Sequence, residues 1–245
     1  MLRLLEATMR RSLGKRDRSQ NGSHPKPAAL RGSPAPSQYL FRVDLHVQRD
    51  ALLNNGALPD AGELADLMRL RDLAGLVVSE HDALPDLAEI DCLNRGLPQG
   101  LRVYRAAEVS TSEGHCLVVG LPSLEGLSAG VSTWELVKAA DRHRAAVVLV
   151  HPLQPTALTP RPVAVSDMAP GIHAVEVMSS ATRSTQELEA RLSAHDRGWI
   201  MVAGSDALSR RSIGAAYCAL PRLPRDEAEL AGFVRAGSLR PERAE

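Results

Sequence analysis

Residues 145–152 read AAVVLVHP, six apolar residues followed by a histidine and a proline. An apolar run of this length, rich in valine, is typical of a strand that is buried on both faces. Pro152 cannot donate a ladder hydrogen bond and ends the strand, which leaves His151 at its carboxyl end. The stretch therefore predicts a buried strand that presents an imidazole at the edge of a sheet.

The same pattern recurs along the chain from residue 40 onward. Six further short apolar runs are Phe41–Leu45, Ala74–Val78, Leu101–Ala106, Cys116–Val119, Ile172–Met178 and Trp199–Ala203. Segments of helical period lie between them, at about residues 60–72, from Ser132, from Ser184 to Gly198 and from about Asp226 to Gly237. Start signals such as the capping box Ser132-x-x-Glu135 support these helices. This alternation indicates an α/β fold of parallel strands with crossover helices, and seven runs favour a barrel over an open sheet.

The first 39 residues differ in composition from the rest of the chain. They hold eight basic and two acidic residues, a net charge of +6, so the remainder of this formally neutral 245-residue chain carries −6. Residues 19–37 are rich in Ser, Pro, Gly and Asn and cannot bury enough apolar surface to fold. We therefore expect a disordered basic tail over residues 1–39 and one domain over residues 40–245. An organellar presequence or a loose anion-binding arm is the alternative interpretation of the tail.

Composition excludes several functional classes. No apolar stretch approaches the roughly 18 residues that a membrane span needs. An acidic domain with only 3% aromatic residues does not favour strong nucleic-acid binding, because phosphate contacts need Lys and Arg and base stacking needs aromatic rings. The three isolated cysteines, Cys92, Cys116 and Cys218, form no disulfide or zinc pattern and suit a reducing cytoplasm.

Histidines and carboxylates collect at the ends of the predicted strands. Those that follow a strand are His46, Glu80, His81, Glu108, His151 and Asp206, while His115 precedes one. Since the carboxyl ends of parallel strands converge on one face, most of these side chains should share one mouth. Imidazole and carboxylate are the ligands of zinc, manganese and iron hydrolase sites. Taken singly, each residue has an ordinary interpretation, and Asp44 or Asp206 could simply cap a turn.

In their order, these segments resemble the polymerase and histidinol phosphatase (PHP) family of metal-dependent phosphoesterases. The matching segments are 43–47 (VDLHV), 78–82 (VSEHD), 107–110 (AEVS) with Gly114-His115, 150–152 (VHP), 174–178 (AVEVM) and 204–207 (GSDA). The resemblance spans about residues 41–236. It implies a distorted (β/α)7 barrel and a site for up to three metal ions.

The resemblance also implies a ligand set, with departures. Glu108, His115 and His151 would hold one ion, and His46, Glu108 and Asp206 a second. His81 belongs to a third position. The motif Asp-x-His-x-His ends here in Gln48, and Gly-Ser-Asp-Ala-His ends in Leu208, so two family ligands are absent. We therefore expect one or two divalent ions (Mn, Zn, Mg or Fe) rather than three.

Two functions follow from the resemblance. The first is a metal-dependent phosphoesterase that hydrolyses a phosphate monoester or a small nucleotide-type phosphoester, with Glu108 bridging the ions and Glu80 or His81 as general acid. Its partner is a small phosphorylated substrate. The alternative is a degenerate PHP-like domain that acts as a weak or inactive binding or regulatory module. Gln48, Leu208 and Gln154, which replaces a family arginine, favour that alternative. An accessory role beside a nucleic-acid enzyme is a third hypothesis.

Overall fold

The computed structural model describes residues 40–156, 158 and 171–244. The predicted tail over residues 1–39 lies outside the described residues. No helix in the described part of the chain is long and apolar enough to cross a membrane.

Strands and helices alternate through the described residues. The strands are β1 (Phe41–Gln48), β2 (Gly75–His81), β3 (Arg102–Thr111), β4 (Gly114–Val119), β5 (Ala146–Leu149), β6 (Ala174–Met178), β7 (Ile200–Ala203), β8 (Ala216–Leu220) and β9 (Arg240–Arg243). The helices are α1 (Arg49–Leu52), α2 (Ala61–Leu70), α3 (Leu87–Gly96), α4 (Thr133–Arg142), α5 (Ser184–Arg197) and α6 (Glu227–Ala236). All seven predicted strands and all four predicted helices are present. Four elements were not predicted from the sequence: β8, β9, α1 and α3.

The nine strands form one sheet in the order β7-β6-β5-β4-β3-β2-β1-β8-β9. Strand β7 packs against β1, β8 and β9, so the two ends of the sheet approach each other and the barrel is nearly closed. The predicted α/β barrel class is therefore confirmed.

The expectation of parallel strands throughout is wrong at β4. Strands β1–β2–β3 and β5–β6–β7 are parallel, but β4 runs antiparallel to both of its neighbours. Only Ser112 and Glu113 separate β3 from β4, and two residues can form a hairpin but not a crossover. Because β4 is reversed, its first residues lie beside the last residues of β3, where Ser110 pairs with His115.

Helix ends follow the local sequence signals. Ser132 forms the predicted capping box with Glu135 at the start of α4. Helices α5 and α6 end at Gly198 and Gly237, each with a positive φ that suits glycine. The predicted start of α5 is displaced by one residue, because the N-cap is Arg183, whose backbone N–H donates to Gln186 Oε1.

Strand β1 is buried on both sides at its carboxyl end. Side chains alternate along a strand, so Val43, Leu45 and Val47 share one face and the polar residues between them share the other. The apolar residues pack into the hydrophobic clusters. The polar face, with His46 at its centre, points toward Glu108 and Glu176.

Gly204, directly after β7, allows the closest approach between β7 and β1. A Cβ atom at this position would lie 2.5 Å from His46 Cβ and 2.6 Å from His46 N. We expect Gly204→Ala to lower the free energy of unfolding by about 1–3 kcal/mol through overpacking, measured by urea denaturation. The control is Gly232→Ala within α6, where a Cβ meets nothing within 4 Å and should stabilise by about 0.5–1 kcal/mol. Wild-type stability of Gly204→Ala would contradict this packing.

Candidate metal centre

The buried carboxylate of Glu108 is the centre of the site. Its Oε1 lies 2.9 Å from His115 Nδ1 and 3.0 Å from His151 Nε2. Its Oε2 lies 3.1 Å from His46 Nε2 and accepts a hydrogen bond from the Gln48 side-chain amide. Three imidazoles and one amide therefore surround a carboxylate that has no exposed surface.

The sheet brings these side chains together from distant parts of the chain. His46 lies near the carboxyl end of β1, and His151 lies two residues after the end of β5. Glu108 pairs in register with His81, the last residue of the neighbouring strand β2. The reversed direction of β4 adds His115 to the same edge.

Two further predicted ligands lie at the edge of this cluster. His81 Nε2 is 3.5 Å from Glu108 Oε2, and its side chain is 52% exposed. Asp206 Oδ1 is 3.7 Å from His46 Nε2. The six residues predicted as metal ligands thus all lie at one mouth of the barrel.

The described residues contain two groups of three donors that could hold a metal ion. One group is His81, Glu108 and His115, and the other is His46, Glu108 and Asp206. In each group the ligand atoms lie within 4.8 Å of one another, and both groups share Glu108. The second group matches a predicted set. The first group differs from the other predicted set, because it contains His81 where the resemblance implies His151. His151 nevertheless contacts Glu108 Oε1, the same oxygen that His115 contacts. Imidazole and carboxylate donors in this arrangement fit divalent cations.

Glu176 on β6 orients two of the histidines. Its Oε1 lies 3.3 Å from His46 Nδ1, and its Oε2 accepts a hydrogen bond of 3.1 Å from the backbone N–H of His151. A carboxylate on the second ring nitrogen fixes the ring orientation and raises its basicity as a ligand. The signal in the sequence is a charged residue inside an apolar strand, to which the sequence analysis assigned no role.

Asp44 on β1 anchors the backbone around the site. Its Oδ1 accepts from the backbone N–H groups of Ser205 (2.7 Å) and His46 (3.2 Å), and its Oδ2 accepts from Gly214 N–H (2.8 Å). Burial raises the pKa of this carboxyl to about 6, against the effect of these hydrogen bonds. Asp44 therefore has the turn-stabilising role that was its alternative interpretation.

The electrostatics favour an ionised carboxylate at the centre. Burial alone would raise the pKa of Glu108, but hydrogen bonds to His115, His151 and His46 outweigh burial and hold the pKa far below its usual value. Burial also opposes charge on His46, yet Glu176 and Glu108 together hold its pKa well above the usual value. An ionised carboxylate shielded from water is a strong potential ligand for a cation.

Two candidate ligands have unusual backbone conformations. His151 has a φ of 33° and Asp206 a φ of 48°, in the left-handed region that non-glycine residues rarely adopt. Such strain costs of the order of 1–3 kcal/mol and is concentrated at functional sites. Both residues lie within three residues of the end of a strand, at the mouth of the barrel.

Gln48 and Leu208, the two departures from the motifs that the sequence resembles, differ in their surroundings. The buried Gln48 side chain donates to Glu108, so the position still carries a polar group in contact with the cluster. Leu208 is 78% exposed and offers no ligand atom.

Glu80 and Arg49 form a separate charged group at the same mouth. Arg49 Nε lies 3.1 Å from Glu80 Oε1, and Arg49 Nη2 lies 2.9 Å from Glu89 Oε2. These three residues line a cavity of about 780 Å³. Glu80, predicted as a catalytic residue, belongs to neither donor group. Arg49 was not predicted as a site residue, and the only signal for it in the sequence is a cation directly after the end of β1.

Comparison with known proteins gives structural likeness only. No protein-family model and no curated protein matches the sequence. The structure is similar to PsfC of Pseudomonas syringae, with a TM-score of 0.58 and 17% identity over 83% of this chain and 91% of that chain. The chain shares its fold with this protein. A second neighbour is a Bifidobacterium adolescentis protein described as a candidate metal-dependent phosphoesterase, with a TM-score of 0.54 and 14% identity over 73% of this chain and 90% of that chain.

The anchoring role of Asp44 can be tested by its amide. We expect Asp44→Asn to lower the free energy of unfolding by about 1–3 kcal/mol, because an amide NH₂ cannot accept from a buried backbone N–H. Urea denaturation measures the difference. Asp66→Asn, on the exposed face of α2, is the matched control and should change stability by less than about 0.5 kcal/mol. Equal stability of both variants would show that Asp44 does not hold these backbone groups.

Proposed function

We propose that the protein is a metal-dependent hydrolase of the PHP type that cleaves a phosphate monoester or a small nucleotide-type phosphoester. The single observation that carries this proposal is the buried Glu108 carboxylate shared by two groups of metal-ligating side chains. A carboxylate in that position can bridge two cations. The fold shared with a candidate metal-dependent phosphoesterase supports the same class of chemistry.

The proposed metal ligands form two sets that share Glu108. In this proposal, His46 and Asp206 complete one set around Glu108. His115 and His151, which both contact Glu108 Oε1, complete the other, so His81 holds no ion when two are bound. Bound divalent cations at these groups supply an activated water and neutralise charge on phosphoryl oxygens. With Gln48 and Leu208 in place of two family ligands, we expect two ions rather than three.

The proposed general acid lies at the rim of the mouth. His81 is half-exposed, so its imidazole can reach the leaving oxygen and donate a proton to it. Glu80, the other candidate acid, is already paired with Arg49.

The degenerate binding module is the second candidate function. The observation that favours it is the Gln48 amide, whose N–H donates to Glu108 Oε2 and so occupies part of the carboxylate that a cation would use. A module of this kind would bind at most one ion and would not turn over phosphoesters.

Metal content and turnover decide between these functions. The full chain is freed of metal by chelation and dialysis and then loaded with Mn²⁺, Zn²⁺, Fe²⁺ or Mg²⁺. The bound metal is measured by mass spectrometry, and hydrolysis is assayed on a panel of phosphoesters. We expect about two ions per chain and metal-dependent hydrolysis. Less than one ion per chain and no turnover with any metal would contradict the hydrolase and support the module.

Substitution of a ligand tests the site itself. We expect His115→Gln to weaken metal binding and hydrolysis by at least about 10- to 100-fold, because the imidazole on Glu108 Oε1 is lost. The matched control is His143→Gln, at the exposed end of α4, which should leave both unchanged. Equal effects of the two substitutions would rule out the assigned site.

Restoring the absent family ligands is a separate prediction. We expect Gln48→His and Leu208→His together to tighten the binding of an additional ion by about 10-fold or more, measured by calorimetry with Mn²⁺. Leu192→His, at an exposed leucine on α5, is the control for adding a surface histidine. Unchanged ion binding in the double variant would show that these two positions do not limit the site.

A further inference from the structure

A groove lined by arginines lies beside β8 and β9, apart from the Glu108 cluster. Its walls come from the end of α2, from α5, from β9 and from the segment that precedes β8, and its volume is about 1020 Å³. None of the candidate metal ligands lines it. Five of its lining residues are arginines: Arg42, Arg71, Arg191, Arg211 and Arg243.

The acidic residues of the groove do not neutralise these arginines. Only Asp72, Glu187 and Glu242 line it, so the groove carries a formal charge of +2. Glu187 is shared, since its Oε1 lies 3.0 Å from Arg191 Nε and its Oε2 lies 3.1 Å from Arg243 Nη2. This positive charge is concentrated within a domain that is acidic overall.

Two of the arginines have no acidic partner within the described part of the chain. Arg71 donates from Nη2 to the backbone carbonyl of Arg210 at 3.1 Å, and its Nε has no hydrogen-bond partner among the described residues. Arg211 is exposed and is in no described ion pair. A guanidinium without a carboxylate keeps its capacity to bind an anion from solution.

The other arginines are held in place by neighbouring groups. The Arg42 guanidinium lies 5.0 Å from the ring centre of Tyr217, a cation–π contact, and 2.7 Å from Asp72. Arg243 Nη1 donates to the Ser179 carbonyl at 3.3 Å. Ordered guanidinium groups lose less conformational entropy when they bind an anion than free surface side chains do.

We propose that this groove is a binding site for a small molecule that bears phosphate groups, separate from the metal centre. Guanidinium donors match phosphate oxygens in pairs. The groove volume is at the upper end of the range for small-ligand pockets, so a molecule of nucleotide size fits. The buried Tyr217 ring and Ile213 supply an apolar part of the lining.

Titration of inorganic pyrophosphate into the full, metal-free chain tests this site by calorimetry. We expect one pyrophosphate per chain, with affinity at least 10-fold weaker in Arg211→Glu and in Arg71→Gln. Arg142→Glu, at an exposed arginine at the end of α4, should bind as the wild type does. His115→Gln, which removes a candidate metal ligand, should also bind pyrophosphate normally, so the result does not depend on the proposed hydrolase.

Three outcomes would overturn the proposal. The first is an absence of pyrophosphate binding at millimolar concentration. The second is binding that His115→Gln abolishes and Arg211→Glu leaves intact, which would locate the anion at the histidine cluster. The third is tighter binding of a single-stranded oligonucleotide than of pyrophosphate, lost in Arg211→Glu, which would make the groove a nucleic-acid contact instead.

Discussion

The ionised Glu108 carboxylate in the interior of the barrel is the constraint on which the site depends. An isolated buried carboxylate costs several kcal/mol, so it is stable only when donors surround it. Here the donors come from β1, from β4 and from His151, two residues after β5. No local segment can provide them all, so the register of the sheet and the charge at its centre depend on each other.

Glu176 and Asp44 extend this dependence outward from Glu108. Glu176 contacts the far nitrogen of His46, and Asp44 ties the backbone of His46 to segments 161 and 170 residues away along the chain. Gly204 then permits β7 to approach His46 closely enough to complete the barrel. Successive layers of contacts thus hold one imidazole in place, which is the pre-organisation that a metal site needs.

Apolar runs were enough to predict the strands and favoured a barrel, and strand ends placed most of the histidines and carboxylates at one mouth, because these patterns lie within a few residues. The barrel of seven strands and the set of six ligands followed from the resemblance to the PHP family. Strand direction was not predictable in this way, since an apolar run reads the same for parallel and antiparallel pairing. Strand β9 was not predicted, because Arg240–Arg243 is charged and contains a proline. Both features are common in edge strands. The roles of Asp44 and Glu176 and the contact of Gln48 depend on partners remote in sequence, so no local pattern could predict them.

Gln48 and Leu208, where the sequence departs from the PHP motifs that it resembles, have different physical consequences. Gln48 is buried and donates to Glu108, so the charge at the centre is satisfied without an imidazole at this position. Leu208 is exposed and offers no ligand atom. Without the Gln48 donor, the buried Glu108 carboxylate would lose one of its hydrogen bonds, which is costly. The Gln48 amide therefore stabilises the ionised carboxylate from within the protein, whereas residue 208 contributes nothing to the cluster.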